Sequence, residues 1–127
     1  MRLAIDTNRY RDLSDGKRDV VERLETAESI FVPFVVLAEL RAGFSVGTKG
    51  RANERLLHRF LAQPGVAVLH TTEATTRCYA ALYRQLRTQG TPIPTNDLWI
   101  AAIVVEHDIA LYSRDAHFGA LPQLNLI

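Results

Sequence analysis

Short apolar segments alternate with longer amphipathic ones along this chain, and this alternation restricts the possible folds more than any other feature. The strand-like segments are MRLAID, SIFVP, PGVAVLH and IALYS, and the tail LPQLNLI is a candidate fifth. Between them lie segments whose apolar residues recur three and four positions apart, as in helices. Strands connected by helices form parallel sheets with helices on both faces. We therefore predict a single α/β domain over residues 1–127 with a central parallel sheet of four or five strands.

The composition argues against several other classes of protein. Hydrophobic residues make up 47% of the chain and charged residues 23%, which is ordinary for a folded domain and unlike a disordered chain. The longest apolar runs are too short to cross a bilayer, and MRLAID lacks the long apolar core of a signal peptide. The single cysteine, Cys78, cannot form an internal disulfide. We expect a cytoplasmic protein without a membrane segment.

One carboxylate stands alone in the run FVPFVVLAEL, residues 31–40. Pro33 favours the start of a helix, and apolar residues then recur at helical spacing as far as Leu40. On this helix the neighbours of Glu39 three and four positions away are nonpolar or small. A buried ionised carboxylate needs a partner, a metal or a proton. Glu39 is therefore either a surface residue that faces water or an arginine, or part of a site.

Three more acids stand beside the most apolar segments. Asp6 ends the first predicted strand and Asp115 follows the fourth, so both belong at the carboxyl edge of the sheet, where sites form. Asp97 opens the apolar helix that contains LWIAAIVV. Each acid also has a local explanation as a helix cap, a partner of the helix dipole or a turn residue. The acids of the first two helices are predicted to lie on solvated faces: Asp12, Asp15, Asp19, Glu22, Glu25 and Glu28.

Convergence of the four acids would require a cation. Two carboxylates about 4 Å apart repel by roughly 4 kcal/mol at an effective dielectric constant near 20. Oxygen ligands alone select hard divalent ions, so Mg²⁺ or Mn²⁺ is the expected occupant. Zinc is not expected, because the four histidines are scattered along the chain and each is predicted to be a surface or edge residue.

The motifs together resemble a known family. DTN at residues 6–8, the lone Glu39, NDLWIAA at 96–102 and YSRDAHF at 112–118 are similar to the PIN-domain ribonucleases, in particular the VapC toxins of bacterial toxin–antitoxin pairs. The resemblance runs along nearly the whole chain. By motif, the family's three core acids match Asp6, Glu39 and Asp97, and its more variable fourth acid matches Asp115.

This resemblance implies an activity, ligands and partners. The activity would be that of an endoribonuclease that uses Mg²⁺ or Mn²⁺, with the four acids as metal ligands and catalytic residues. Ser113 matches the Ser or Thr that accompanies the fourth acid, and Asn8 and Ser113 would act as supporting donors. Arg114 would contact a phosphate. The partners implied are an RNA substrate, a cognate antitoxin and a second copy of the chain in a homodimer.

Other functions remain open from the residues alone. A ribonuclease that works without metal would use two of the four histidines as acid and base. A phosphoacceptor signalling domain would need an acceptor Asp after the middle strand and a Lys near the sheet edge, whereas the third strand here ends LHTT and neither Lys17 nor Lys49 follows a strand. A binding module would use its acids only as structural caps.

Overall fold

The computed structural model describes residues 1–127 and has the predicted α/β architecture. Its parallel strands are β1 (Arg2–Ile5), β2 (Ser29–Pro33), β3 (Val66–Leu69) and β4 (Ala110–Tyr112). Its α-helices are α1 (Thr7–Ser14), α2 (Arg18–Glu25), α3 (Phe34–Val46), α4 (Gly50–Leu61), α5 (Glu73–Gln89) and α6 (Thr95–His107). A short 3₁₀ helix, Ala116–Ala120, follows β4.

The strand order β3-β2-β1-β4 creates a switch point beside β1. The chain moves outward from β1 to β2 and β3, and then crosses back to place β4 on the other side of β1. Right-handed crossovers in opposite directions put their helices on opposite faces, which gives the predicted layers. Ile5 pairs with Tyr112, so Asp6 and Ser113 leave the two strands side by side. Sites in open α/β sheets form at such a switch point.

The C-terminal tail does not form a complete fifth strand. It runs parallel to β4 and makes one isolated bridge, between Leu111 and Leu126. The Leu111 amide donates to the Asn125 carbonyl oxygen at 2.9 Å, and the Ile127 amide donates to the Leu111 carbonyl oxygen at 3.0 Å. The sheet therefore has four strands, and the tail covers its β4 edge.

Helix α6 is buried on nearly all sides, which explains why its sequence is apolar without a clear polar face. The buried members of this helix are Leu98, Ile100, Ala101, Ala102, Ile103 and Val104. The helix packs against α5 and α3. Because α6 is held in the core, Asp97 in its first turn has a well-defined position. None of the helices combines the length and the apolar character needed to span a membrane.

Local features explain where three of these elements begin and end. Pro33 is the last residue of β2, in agreement with the predicted strand SIFVP, and α3 begins directly after it. Helix α3 continues to Val46, because Phe44 packs against the core. Gly90 follows α5 with φ of 72°, a left-handed conformation that suits glycine at the end of a helix.

The prediction that Asp12 lies on a solvated helix face is wrong. Its side chain is only 3% exposed and accepts from Lys17 Nζ at 2.8 Å, Arg114 Nε at 3.0 Å and Arg9 Nη1 at 3.3 Å. The hydrogen bond from Arg114 is the main cause that holds the pKa of Asp12 well below its usual range, and Lys17 adds to the effect. These ion pairs attach the residues after β4 to α1.

We expect Asp12→Asn to lower the free energy of unfolding by about 2 kcal/mol at pH 7, since it removes a buried charge that accepts from charged donors. The folded-state pKa of Asp12 lies below its ordinary value of 3.8. The stabilisation by ionised Asp12 is therefore complete when the pH is well above 3.8. It is lost as the pH falls from 3.8 towards the lower folded-state pKa. Urea unfolding of both proteins between about pH 7 and pH 3 should show a difference that shrinks in acid. Asp19→Asn, at an exposed position in α2, is the control; a constant difference across this range would contradict the assignment.

Candidate active site

All four predicted acids line one pocket. Asp6, Glu39, Asp97 and Asp115 surround a cavity of about 360 Å³ at the carboxyl edge of the sheet. They come from the end of β1, the middle of α3, the start of α6 and the loop after β4. The topology therefore brings together residues that are up to 109 positions apart in the chain.

Asp6 is nearly buried and is held by two donors. Its Oδ1 accepts from the Arg9 amide at 3.0 Å, which caps α1, and its Oδ2 accepts from Ser113 Oγ at 2.5 Å. Ser113 Oγ in turn accepts from the Asp115 amide at 3.0 Å. The predicted capping role of Asp6 is thus real, and it coexists with a place in the pocket. Ser113 connects the carboxylate after β1 to the loop after β4.

Glu39 has a partner that the sequence did not indicate. Thr7 Oγ1, in the first turn of α1, donates to Glu39 Oε1 at 2.8 Å. Glu39 is half-buried, so it is neither a fully solvated surface residue nor a buried carboxylate without donors. The hydrogen bond orients one carboxylate oxygen and leaves the other without a donor from the protein.

Asp97 and Asp115 meet at a histidine. His117 Nδ1 lies 2.9 Å from Asp97 Oδ2 and 3.1 Å from Asp115 Oδ1. The expectation that every histidine is a surface or edge residue is therefore incomplete, because the ring of His117 is half exposed but contacts two of the predicted acids. Its position two residues after Asp115 was the only signal in the sequence.

The electrostatics of the pocket oppose an uncompensated negative charge. Burial raises the pKa of Asp6, against hydrogen bonds from Ser113 and the Arg9 amide that lower it. Burial also raises the pKa of Asp97, and the charges of Asp115 and Glu39 add to this shift while the hydrogen bond from His117 opposes it. A cation in the pocket would stabilise the ionised forms of these acids.

The predicted supporting residues take different positions. Asn8 lines the pocket, and its side chain makes no hydrogen bond within the chain. The Arg114 guanidinium binds Asp12 instead of lining the pocket. Arg11, which the sequence did not indicate, does line the pocket. Its guanidinium lies beside Gly43, so that a Cβ added to this glycine would be 3.4 Å from Arg11 Nη2.

Comparison with known proteins identifies the family. The family model described as PIN domain matches residues 5–124. The chain belongs to the PIN-domain family. Ribonuclease VapC4 of Mycobacterium tuberculosis is 33% identical over 96 residues, which are 76% of this chain and 74% of that protein. Ribonuclease VapC5 of the same organism is 24% identical over 117 residues, which are 92% of this chain and 85% of that protein.

Solved structures with the same fold include VapBC2 and FitAcB. This PIN domain is similar to a chain in the crystal structure of VapBC2 from Rickettsia felis bound to a promoter DNA fragment. The TM-score is 0.90 at 26% identity, and the match covers 100% of this chain and 98% of that chain. For FitAcB from Neisseria gonorrhoeae the TM-score is 0.81 at 25% identity, with coverage of 98% and 96%. The predicted family and fold class are confirmed.

The residues of this PIN-domain pocket fit a divalent metal ion. Glu39, Asp97 and Asp115 each accept a protein hydrogen bond through one carboxylate oxygen only, so each has a second oxygen available as a ligand. The ligand atoms of Asp97, Asp115 and His117 lie within 4.8 Å of one another. Hard cations such as Mg²⁺ and Mn²⁺ bind through a few carboxylates and retain several waters, for which the pocket has room.

Proposed function

We propose that this PIN domain is a metal-dependent endoribonuclease, the toxin of a type II toxin–antitoxin pair, which hydrolyses RNA phosphodiester bonds with Mg²⁺ or Mn²⁺. The observation that carries the proposal is the convergence of Asp6, Glu39, Asp97 and Asp115 in one pocket. Two relatives, VapC4 and VapC5 of Mycobacterium tuberculosis, are ribonucleases, which supports the reaction class. No side-chain nucleophile is needed for this chemistry.

The four acids would hold the metal, and the chain's other residues would hold the acids. When bound, a divalent ion of this kind would lower the pKa of a water, which then loses a proton more readily and attacks the phosphodiester as a stronger nucleophile, and would offset charge on the leaving oxygen. Ser113 and the Arg9 amide fix both oxygens of Asp6, and Thr7 fixes one oxygen of Glu39. Asn8 lines the pocket with a free amide and can donate a hydrogen bond to a phosphate oxygen.

Arg11 is a better candidate for the phosphate contact than Arg114. The charge of Arg114 is engaged by the buried carboxylate of Asp12, whereas Arg11 lines the pocket and forms no salt bridge. A guanidinium makes paired hydrogen bonds to phosphate oxygens, which suits it to bind a scissile phosphate beside an acidic metal site. The phosphate contact predicted for Arg114 is therefore reassigned to Arg11 in this proposal.

For Arg11→Gln we expect the KM for an RNA oligonucleotide to rise about tenfold with little change in kcat, because a ground-state phosphate contact is lost. Steady-state cleavage of a fluorescent oligonucleotide measures both constants. Arg18→Gln, an exposed arginine at the start of α2, is the matched control and should behave like the wild type. An unchanged KM in Arg11→Gln would remove Arg11 from the substrate site.

The proposed reaction is tested with total RNA and with single-stranded DNA under identical conditions. The purified protein with Mn²⁺ should produce discrete RNA fragments and leave the DNA intact. Fragment ends mapped by primer extension would then give the cleavage site. If the RNA stays intact even when the protein is in excess over the substrate, the proposed ribonuclease activity is rejected.

The proposed partners are a cognate antitoxin and a second copy of the chain. Solved structures similar to this chain include members of the VapBC family of toxin–antitoxin systems, which supports a protein partner of the antitoxin class. Co-expression with the product of a small neighbouring gene should give a stable complex in which RNA cleavage is inhibited. Light scattering of the purified chain would test the homodimer. The expected location of the complex is the cytoplasm.

The cap-only alternative has partial structural support. Asp6 caps α1 and Asp115 caps the 3₁₀ helix, as that alternative predicts. It does not explain why the same two carboxylates share a pocket with Glu39 and Asp97. If it were correct, Asp97→Asn would keep the fold and leave both activity and partner binding unchanged.

A further inference from the structure

We infer that His117 is a nitrogen ligand of the metal and that this pocket prefers Mn²⁺ to Mg²⁺. The inference rests on the proposed metal site and specifies its ligands and its ion. The four acids alone form an oxygen-only set, which distinguishes poorly between these two ions. A histidine in the set changes that chemistry.

The distances around His117 match those between adjacent ligands of one ion. Two ligands bound at right angles to an ion about 2.1 Å away are about 3 Å apart. His117 Nδ1 lies 2.9 Å from Asp97 Oδ2 and 3.1 Å from Asp115 Oδ1. Both distances equal those between adjacent ligands, the same nitrogen faces both carboxylates, and all three atoms lie within 4.8 Å of one another.

The backbone holds His117 in this position. Asp115 Oδ1 accepts from the His117 amide at 2.9 Å and so caps the 3₁₀ helix. One residue later, the side chain of Phe118 is completely buried and anchors that helix in the core. The imidazole is thus supported by a short helix that is anchored in the core, while its half-exposed ring leaves room for solvent ligands.

The chemistry of imidazole decides the ion. Mg²⁺ prefers oxygen ligands and retains its waters, whereas imidazole nitrogen binds first-row transition metals more readily. To coordinate through Nδ1 the ring must carry its proton on Nε2, which is one of the two neutral tautomers. The competing interpretation is that His117 only donates a hydrogen bond to Asp97 and Asp115 and never contacts the ion.

Electron spin echo spectroscopy of the Mn²⁺-loaded full-length protein separates the two interpretations. A directly bound imidazole should give nitrogen modulation of the Mn²⁺ echo in the wild type, and His117→Gln should abolish it. His58→Gln, an exposed histidine of α4 that contacts none of the four acids, should retain it. In titrations, His117→Gln should weaken Mn²⁺ binding by at least about tenfold and Mg²⁺ binding much less. Melting curves verify that each variant is folded.

The outcomes distinguish this inference from the proposed function. Wild-type protein that binds Mn²⁺ and cleaves RNA without nitrogen modulation would overturn the ligand assignment alone, as would modulation that persists in His117→Gln. Nitrogen modulation in a protein that cleaves no RNA would overturn the proposed ribonuclease activity, but His117 would remain assigned as a metal ligand. A wild-type protein that binds Mg²⁺ but no Mn²⁺ would overturn this inference alone, and one that binds neither ion would overturn both.

Discussion

Asp6→Asn is expected to lower the rate of RNA cleavage about 10³-fold without loss of the fold. The substitution removes the charge of a proposed metal ligand, and several kcal/mol of transition-state stabilisation correspond to a rate change of this size. Asparagine caps helices as well as aspartate does, so the start of α1 should be retained. Its one side-chain oxygen keeps the cap, and its amide nitrogen then faces Ser113 Oγ and can donate to it. Single-turnover cleavage of a labelled RNA measures the rate, and circular dichroism follows the fold.

The matched control is Asp19→Asn, the same chemical change at an exposed position in α2. It should cleave RNA at the wild-type rate. If Asp6→Asn also cleaves at the wild-type rate while folded, Asp6 is only a helix cap, and the site as proposed is wrong. If it unfolds, Asp97→Asn provides the same test from another element, since Asp97 accepts no backbone cap hydrogen bond.

Removal of divalent ions is expected to reduce cleavage to the uncatalysed background. Without a cation, neighbouring carboxylates repel one another, and no other group in the pocket would activate water. Excess EDTA should stop cleavage, and Mn²⁺ added beyond the chelator should restore it. EDTA already saturated with Mn²⁺ is the control for effects of the chelator itself. Cleavage that survives excess EDTA would reject the metal site and favour acid–base chemistry by histidines.

The acids of the site were predictable because their positions follow from topology. Asp6 and Asp115 come directly after strands, and the carboxyl ends of neighbouring parallel strands meet at one edge. The apolar helix after Asp97 had to be buried, which fixed that acid near the core. Glu39 was conspicuous because its helix is otherwise apolar at the neighbouring positions. The spacing of apolar residues and the order of strands and helices along the chain were therefore sufficient to predict where these four acids lie.

The partners of the site residues were not predictable by the same reasoning. Asp12 lies in a helix with a polar sequence, and its burial depends on Arg114, which is 102 positions away. The partners of Thr7 and His117 became recognisable only when α3 and α6 were placed beside them. Such contacts depend on how side chains meet between elements, which hydrophobic spacing within one element does not determine. The same limit left Arg11, which lines the pocket, out of the sequence prediction.

The most direct test of the convergent site is calorimetric titration of Mn²⁺ into the wild type and into four single variants. These variants are Asp6→Asn, Glu39→Gln, Asp97→Asn and Asp115→Asn, with Asp19→Asn as the control. Carboxylates that bind the same ion should each contribute to its affinity. We therefore expect every pocket variant to bind Mn²⁺ at least about tenfold more weakly than the wild type and the control. Equal affinity in all six proteins, or no Mn²⁺ binding by the wild type, would contradict a shared metal site.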